Sequence, residues 1–278
     1  MKIIVDMMGG DNAPLAVLEG TAAAVKEYGV EVIGVGDEAL VRKTAAEHNI
    51  PLDGITLHNC TETIEMCDEP ARAIRSKKDS SIVVGLNMLK NGEGDAFVSA
   101  GSTGALLSAA TLIVRRVKGI RRAAMAPQIP TKTGREAVLI DCGATADCTP
   151  EFLLQFAFMG SYYAEKVLGI ENPRVALLNI GAEDSKGGEL QKAVYPLLKQ
   201  AGETGAINFT GNIEARDVPL GGADVVVADG FSGNILLKGI EGTALFMASM
   251  MKNMFKKNVL TKLAALLCMD GVKAFKKK

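Results

Sequence analysis

The sequence has 278 residues, of which 48% are hydrophobic and 23% are charged. This composition supplies enough apolar material for a full core and excludes an intrinsically disordered chain. The 31 basic and 32 acidic residues give a net charge of −1, and the chain has no Trp and only 5% aromatic residues. Both features argue against a nucleic-acid partner, because such proteins carry an excess of positive charge or aromatic groups that stack on bases.

Short runs rich in Val, Ile and Ala alternate with longer helical patterns, which is typical of parallel strands joined by crossover helices. The predicted strands cover residues 2–6, 30–36, 54–58, 95–99, 136–141, 173–180, 205–210 and 223–228. The predicted helices cover residues 13–28, 38–48, 69–91, 103–117, 150–169, 187–201 and 233–257. We therefore predict an α/β protein with a mostly parallel sheet.

Several predicted strands are followed by short stretches that are rich in glycine or small polar residues. These stretches are residues 6–12, 99–104, 141–145, 179–181, 211–217 and 229–234. Ligands of open parallel sheets bind beyond the carboxyl ends of the strands. We expect the six stretches to converge on one crevice.

Residues 99–104, Ser-Ala-Gly-Ser-Thr-Gly, precede a predicted helix and place two hydroxyl groups, Ser102 and Thr103, at its start. The unpaired N–H groups of a helix start can bind phosphate, but the same pattern also fits an ordinary N-cap turn. These two interpretations are equally supported by the motif. No Gly-x4-Gly-Lys-Ser/Thr motif or well-placed Gly-x-Gly-x-x-Gly motif is present, so ATP or NAD binding has no direct support.

The chain offers few groups for base or metal chemistry. Its only histidines, His48 and His58, lie in none of these six stretches, which argues against a Ser-His-Asp triad. His58, Cys60 and Cys67 do not have the spacing of a zinc site. An odd number of cysteines, no Cys-x-x-Cys pair and no signal sequence predict a reduced cytoplasm, and no apolar run is long enough to span a membrane.

The polar side chains near the strand ends suit anion binding more than proton abstraction. They are Asp6, Asn12, Asn179, Lys186, Asn212, Arg216, Asp229 and Asn234. Lys186 either reaches a phosphate or is a solvated loop lysine. Arg216 either clamps an anion or pairs with Glu214 or Asp217.

Two basic segments stand out from the neutral average. The first carries five cations and no acid between residues 115 and 122: Arg115, Arg116, Lys118, Arg121 and Arg122. It is either an ordinary helix C-terminus or, as we favour, a docking site for an acidic partner. The second is residues 252–278, where eight lysines and one acid give +7.

The second basic segment overlaps an apolar helical stripe that includes Met251, Phe255 and Leu263. Such a stripe packs against the body of the protein or a second subunit, or it lies on an anionic membrane surface. We therefore separate residues 239–278, a C-terminal amphipathic, lysine-rich helical segment, from a body of residues 1–238.

Five strand-end motifs, in order along the chain, resemble those of the bacterial phosphate acyltransferase family PlsX. They are Asp6-Met-Met-Gly-Gly-Asp-Asn-Ala-Pro14, Ser99-Ala-Gly-Ser-Thr-Gly-Ala-Leu-Leu107, Leu178-Asn-Ile-Gly181, Gly211-Asn-Ile-Glu214 and Asp229-Gly-Phe-Ser-Gly-Asn234. The resemblance implies a three-layer α/β/α sandwich similar to phosphotransacetylases and isocitrate-dehydrogenase-like enzymes. It also implies a cytoplasmic, often membrane-associated homodimer that converts acyl-[acyl carrier protein] and inorganic phosphate to acyl phosphate for phospholipid synthesis.

On this resemblance residues 1–238 are the catalytic body, and acyl carrier protein, phosphate, an anionic membrane and a downstream membrane glycerol-3-phosphate acyltransferase are the expected partners. Phosphate is expected at Ser102, Thr103 and Gly104 with Lys186, and the thioester oxygen near Asn179, Asn212 or a backbone N–H. Asp6, Asn12, Asp229 and Asn234 are expected to orient these groups. The expected catalytic residues are Lys186, Asn179, Asn212 and Asp229. Gly9, Gly10, Arg216 and Ser232 complete the substrate-binding set, with no metal and no cofactor.

The sequence departs from the family pattern at three places. Thr145 stands where the family usually has Asn, and Ala215 where it usually has Gly. The family also usually continues past the lysine-rich stretch with a Gly-Gly-Ala-Pro loop and a His-Gly element, whereas this sequence ends at Lys278. We expect either that the chain is shortened, or that its sheet and crevice lack the part that these later elements supply in the family.

Two other hypotheses belong to different classes. One is a metal-dependent decarboxylating dehydrogenase on the same fold, with Asp6, Asp141 and Asp229 as metal ligands. The other is a non-enzymatic scaffold that holds an acyl carrier protein at a membrane.

Overall fold

A computed structural model describes residues 1–269 and residue 271. It divides the chain into two compact units, the first formed by Met1–Gly119 and the second beginning at Ile120. Asp270 and residues 272–278, which carry four of the lysines of the second basic segment, lie outside the described residues.

The first unit is a four-stranded parallel sheet with helices. Its strands are β1 (Lys2–Asp6), β2 (Glu31–Gly36), β3 (Ile55–Asn59) and β4 (Ala96–Val98), in the order β3-β2-β1-β4. Its helices are α1 (Leu15–Tyr28), α2 (Glu38–His48), α3 (Pro70–Ser76), α4 (Ser81–Lys90) and α5 (Thr103–Ala109), which continues as a π-helical turn, Ala110–Val114.

The second unit is a five-stranded sheet with one antiparallel edge strand. Its strands are β5 (Gln128–Pro130), β6 (Glu136–Ile140), β7 (Arg174–Asn179), β8 (Asn208–Glu214) and β9 (Val225–Val227), in the order β5-β6-β9-β7-β8, with β5 antiparallel to β6. Its helices are α6 (Pro150–Lys166), α7 (Glu189–Glu203), α8 (Gly230–Lys256) and α9 (Val259–Leu267), with a 3-10 turn at Ala215–Asp217.

Each sheet is covered on both faces, which is why its strands are nearly continuous apolar runs. In the second unit, Phe156 of α6 packs with Val225 and Val227 on one face, while Val226 on the other face lies in a cluster that Leu236 of α8 joins. Helix α6 approaches closely because Gly160 faces the sheet, where a Cβ would come within 2.6 Å of Val225 Cγ1. The prediction of an α/β fold with a mostly parallel sheet is confirmed.

In the first unit, helices α1 and α2 cover one face of the sheet, and α4 covers the other. Leu18 of α1 and Val41 of α2 pack with Val5 and Val32. Met88 of α4 lies in a separate cluster with Ile4. The alternation of side chains along β1 therefore sends Ile4 and Val5 into two different apolar layers.

Several predicted elements differ from the structure. The helix predicted over residues 69–91 is two helices, because residues 77–80 leave the helix and Asp79 instead accepts hydrogen bonds from Thr61. The strand predicted over residues 205–210 is β8, which continues to Glu214 because Gly211, at φ +100°, allows an irregular register opposite Val175 and Leu177. Strand β5 was not predicted.

Helix α8 begins at Gly230, three residues earlier than predicted. The helix predicted over residues 103–117 ends at Val114, because the next residue, Arg115, takes a positive φ of 73°. Helix α8 also runs through the predicted boundary at residues 238 and 239, and the separation of residues 239–278 stays a prediction. Within the described part of the chain, no helix has the length and apolarity needed to cross a membrane.

Helix α6 provides a matched test of the core of the second unit. Phe156 is fully buried, whereas Phe158 on the same helix is 39% exposed. Phe156→Ala should lower the free energy of unfolding by about 3–5 kcal/mol, because it leaves a cavity in the core. Phe158→Ala should cost less than about 1 kcal/mol. Urea unfolding followed by circular dichroism measures both, and equal losses would contradict this account of the core.

Candidate active site

Asp6 ties together the two loops that follow β1 and β4 in the first unit. It is 1% exposed, accepts a 2.7 Å hydrogen bond from Ser99 Oγ and a 3.0 Å bond from the N–H of Met8. Ser99 Oγ in turn accepts a 3.0 Å bond from the N–H of Gly101. The carboxylate of Asp6 therefore orients both loops. The role predicted for Asp6 in orienting the reacting groups stays a prediction.

Two glycines of the first loop are required by their surroundings. A Cβ at Gly9 would lie 2.6 Å from Asp6 Oδ2 and 2.7 Å from the N atom of Gly101. Gly10 has φ +98°, which disfavours any residue with a side chain. The backbones of the two loops thus pack directly against each other. Asn12, predicted to orient substrates, is exposed.

Ser102 is buried and acts as the N-cap of α5, since its Oγ accepts a 3.4 Å hydrogen bond from the N–H of Ala105. Thr103 is exposed, and Gly104 lies against Pro70, whose Cγ would be 3.1 Å from a Cβ at Gly104. The ordinary N-cap turn is therefore what the described residues form. A phosphate at Ser102, Thr103 and Gly104 stays a prediction.

Asp141 organises the corresponding edge of the second unit. Its fully buried carboxylate accepts hydrogen bonds of 2.7–3.1 Å from four backbone N–H groups, those of Met125, Cys142, Ala144 and Thr145. Thr145, one of the departures from the family pattern, contributes here through its backbone. From the sequence, Asp141 was predicted only as a metal ligand, and nothing in its spacing predicts this loop-organising role.

The start of α8 lies directly on the loop that Asp141 holds. Asp229 caps the helix through a 2.8 Å bond from the N–H of Ser232, and the N–H of Gly230 donates to Thr145 O at 2.9 Å. A Cβ at Gly233 would overlap Asp141 O. Asn234 is exposed one position further along. The structure therefore brings together the predicted residues Asp229, Ser232 and Asn234.

Asn179 and Asn212 hold the loop of residues 180–188. Asn179 Nδ2 donates to Lys186 O at 3.1 Å, and Asn212 Nδ2 donates to Glu183 O at 2.8 Å. Lys186 Nζ lies 3.9 Å from Glu183 Oε1, with its side chain 47% exposed. The predicted set Asn179, Lys186 and Asn212 is thus brought together, with both amides turned to the loop backbone and the lysine reaching solvent.

Tyr195 was missed by sequence reasoning, because it lies inside α7 and not at a strand end. Its hydroxyl donates a 2.6 Å hydrogen bond to Asp184 Oδ1, which fastens the middle of the 180–188 loop. Burial, and then the hydrogen bond and negative charge of Asp184, raise the pKa of Tyr195 to about 12. Tyr195 therefore stays protonated as a donor at neutral pH.

Arg216 forms ion pairs with Glu214 at 3.3 Å and Asp217 at 3.8 Å, and its side chain is 75% exposed. Of the two interpretations of Arg216, pairing with its neighbours is the one that the structure contains. Exposed pairs of this kind contribute little to stability, since water screens them. A role of Arg216 in substrate binding stays a prediction.

All five cations between residues 115 and 122 are exposed, and two of the three residues predicted for membrane contact are exposed. Arg115, Arg116 and Lys118 belong to the first unit, and Arg121 and Arg122 to the second, where the guanidinium of Arg122 lies 5.5 Å from the centre of the Phe152 ring. On α8 and α9, Met251 is 44% and Leu263 53% exposed, while Phe255 is partly buried. Their roles in docking and membrane contact stay predictions.

Metal ligation was part of the dehydrogenase hypothesis. Among residues 1–269 and 271, no three His, Cys, Asp or Glu side chains are grouped as a metal site. The carboxylate of Asp141 is turned to four backbone N–H groups, and that of Asp229 to the first turn of α8. The carboxylates of Asp141 and Asp229 therefore both hold the backbone of the second unit in place.

The fold is that of the phosphotransacetylase class. A phosphotransacetylase from Streptococcus pyogenes matches with a TM-score of 0.65 and 21% identity, covering 88% of this chain and 82% of that one. The EutD phosphotransacetylase from Staphylococcus aureus matches with a TM-score of 0.62 and 21% identity, covering 86% and 80%. At this identity the likeness defines the fold alone.

Sequence similarity is more specific. The model of the fatty acid synthesis protein family matches residues 1–278, and the chain belongs to that family. Proteins named phosphate acyltransferase are similar over nearly the whole chain. Those of Alkaliphilus oremlandii and Thermoanaerobacterium thermosaccharolyticum are 49% and 48% identical over 278 residues, covering 100% of this chain and 82% and 81% of theirs. That of Clostridioides difficile is 45% identical over 276 residues, covering 99% and 80%. The resemblance predicted from the strand-end motifs is confirmed.

Proposed function

We propose that this protein transfers an acyl group from acyl-[acyl carrier protein] to inorganic phosphate, giving acyl phosphate and free carrier protein. The observation that carries the proposal is family membership over residues 1–278, with relatives at 45–49% identity named phosphate acyltransferase. These relatives support acyl transfer to phosphate as the activity. The carrier-linked donor and a place in phospholipid synthesis are our inference.

The reaction suits a site without a histidine base. Phosphate is already a nucleophilic anion near neutral pH, so the enzyme has to position it and stabilise the negative charge that develops on the thioester oxygen. A phosphate oxygen attacks the thioester carbonyl carbon, and the carbon–sulfur bond then breaks to release the carrier thiolate. No step requires a group with the pKa of imidazole.

The loops of the first unit supply donors for an anion. The N–H groups of Thr103 and Gly104 have no hydrogen-bond partner among the described residues, and Gly9 and Gly10 pack against Ala100 and Gly101, which precede Thr103 and Gly104 in the same loop. Backbone donors at a helix start are suited to phosphate oxygens. We assign phosphate binding to this pair of loops, with Asp6 holding their geometry.

Lys186, in the second unit, is the cation that we assign to an anionic oxygen of the substrates. Its ammonium is only loosely paired, 3.9 Å from Glu183, while the loop that carries it is fixed at three points by Asn179, Asn212 and Tyr195. A half-exposed lysine on a fixed loop can move its charge without refolding the backbone. We assign Asn179 and Asn212 a positioning role for this lysine.

Two exposed regions, residues 115–122 and helices α8 and α9, support the partners that we propose. The five cations between residues 115 and 122 are all exposed, and clustered positive charge accelerates association with an acidic carrier protein. On α8 and α9, large apolar side chains face solvent, among them Leu245, Met254, Leu266 and Leu267. We propose that this surface holds a homodimer and contacts an anionic membrane from the cytoplasm.

The donor assay tests the proposed function directly. Incubation with acyl-[acyl carrier protein] and phosphate should yield acyl phosphate by mass spectrometry, and omission of phosphate should abolish it. Acyl-coenzyme A in place of the carrier-linked donor should react more slowly. Absence of acyl phosphate from a folded protein would refute the proposal, and equal rates with both donors would refute the carrier-protein part.

Lys186 and Lys199 are a matched pair for testing the mechanism. Each ammonium lies 3.9 Å from a carboxylate of the 180–188 loop, and the side chains are 47% and 56% exposed. Lys186→Ala should lower acyl phosphate formation at least roughly tenfold, equivalent to about 1.4 kcal/mol of barrier. Lys199→Ala should leave the rate nearly unchanged. Equal rates for the two folded variants would remove Lys186 from the mechanism.

A charge-reversal experiment should distinguish the role of residues 115–122 in carrier-protein docking from the role of α8 and α9 in membrane contact. Changing Arg115, Arg116, Arg121 and Arg122 to Glu should raise KM for the carrier-linked donor by roughly tenfold, because the attraction to an acidic partner is lost. Sedimentation with anionic vesicles should be unaffected by these changes.

The companion variant changes Met251, Phe255 and Leu263 to Ser. It should weaken vesicle binding and leave KM for the donor unchanged, because the apolar contact with the bilayer is removed. Light scattering reports whether the variant is still a dimer. If the arginine variant loses vesicle binding and the helix variant retains it, the two segments have been assigned to the wrong partners.

A further inference from the structure

We propose that a cavity beside the Gly9 and Gly10 loop of the first unit receives the acyl chain of the donor. This inference rests on the proposed function, because it names the part of the substrate that the cavity takes. The cavity has a volume of about 420 Å³, within the usual range of ligand pockets. Its lining includes Met8, Gly10, Asp11, Ile64, Glu65 and Met66.

The position of the cavity suits a reactant that ends at the phosphate loop. Gly10 belongs both to the cavity lining and to the loop that Asp6 orients, and a Cβ at Gly10 would lie 3.0 Å from Ala100 O of the second loop. A chain seated against Met8 would therefore direct its carbonyl end towards the two loops assigned to phosphate. Proximity of this kind is what acyl transfer requires.

The charges around the cavity argue against an anion as its occupant. Asp11 and Glu65 line it, and no Lys or Arg is among its lining residues. Two carboxylates repel phosphate, whereas they tolerate an uncharged chain that touches apolar groups. Met8, Ile64 and Met66 provide those groups, and methionine side chains adapt to chains of different shape and length.

The wall that carries Ile64, Glu65 and Met66 is held in place by a salt bridge. Lys77 Nζ donates to Asp68 Oδ2 at 2.5 Å and to Thr63 O at 2.8 Å, and Asp68 Oδ2 also accepts from the N–H of Glu65 at 2.8 Å. The hydrogen bond from Lys77 lowers the pKa of Asp68 below its ordinary value. The irregular segment between β3 and α3 is thus fixed at both ends of the wall.

The signature of a chain pocket is dependence on chain length, since each methylene that leaves water adds a similar increment of binding free energy. Met66 is 59% exposed at the cavity, so the larger side chain of Met66→Trp narrows the cavity without disturbing the core. The matched control is Tyr28→Trp, which changes an aromatic side chain that is 70% exposed at the end of α1.

The measurement is kcat/KM for octanoyl- and hexadecanoyl-[acyl carrier protein] at saturating phosphate. Met66→Trp should lower the ratio of the long-chain to the short-chain value roughly tenfold, equivalent to about 1.4 kcal/mol. The control should leave this ratio unchanged. Equal effects of Met66→Trp on both donors, or no effect, would overturn the proposal.

A second measurement does not depend on turnover. Cys67 lines the cavity and is exposed, and Cys268 is the other exposed thiol among the described cysteines. Burial raises the pKa of Cys60 to about 12 and those of Cys142 and Cys148 to about 11, so these thiols react slowly. In a Cys268→Ser variant, iodoacetamide therefore reports mainly on Cys67.

The probes are dodecanoyl pantetheine and acetyl pantetheine in phosphate-free buffer. Dodecanoyl pantetheine should slow alkylation of Cys67 by roughly fivefold, because the chain covers the thiol, while acetyl pantetheine should not. Equal alkylation rates would overturn the pocket even if acyl phosphate forms. Protection of Cys67 in a protein that forms no acyl phosphate would instead retain the pocket and refute the proposed reaction.

Discussion

Burial of parallel strands on both faces is the constraint on which the rest of the structure depends. In the second unit, Val225, Val226 and Val227 are all fully buried in a strand that pairs with β6 and β7. A polar side chain within such a strand would lose water without gaining a partner. Polar groups are therefore confined to the strand ends, where Asp224 pairs with Arg174 at one end and Asp229 caps α8 at the other.

Buried aspartates at the carboxyl ends of the strands fix the geometry of the loops that follow. Asp6 ends β1 and Asp141 follows β6. Asp6 accepts one backbone N–H group and Asp141 accepts four, which would otherwise be left unpaired. Loss of such an acceptor costs more than one hydrogen bond is worth, because the buried donors stay unsatisfied. The loops that carry the proposed chemistry are thus ordered before any substrate binds.

The sequence was sufficient for the elements whose pattern is set by burial and insufficient where side-chain direction decides. Strands β1, β6 and β7 follow from apolar runs, and the strand-end motifs identified the family. In contrast, the amides of Asn179 and Asn212 could serve either a substrate or a loop, and only the folded structure shows that they donate to Lys186 O and Glu183 O. Tyr195 fastens the same loop from a helix, which no strand-end motif predicts.

Local backbone geometry explains the remaining differences. Strand β8 carries Gly211 at φ +100°, so a residue that reads as a turn instead permits the strand to continue past an irregular pairing. Strand β5 has three residues and includes Pro130, which is unfavourable within a central strand and acceptable at an edge. Short pairings of this kind depend on the neighbouring strand more than on their own sequence.

The stability of helices α8 and α9 depends on what covers their exposed apolar side chains. The first turns of α8 pack on the sheet of the second unit through Leu236, Leu237 and Ile240. Further along, Leu245, Phe246 and Met250 are each more than half exposed. A helix without a packed face is only marginally stable in water, because its propensity alone barely offsets the entropy of ordering the chain. We therefore expect the far end of α8 and all of α9 to gain stability from whatever covers their apolar side chains, so that membrane contact or dimer formation and helix order rise together.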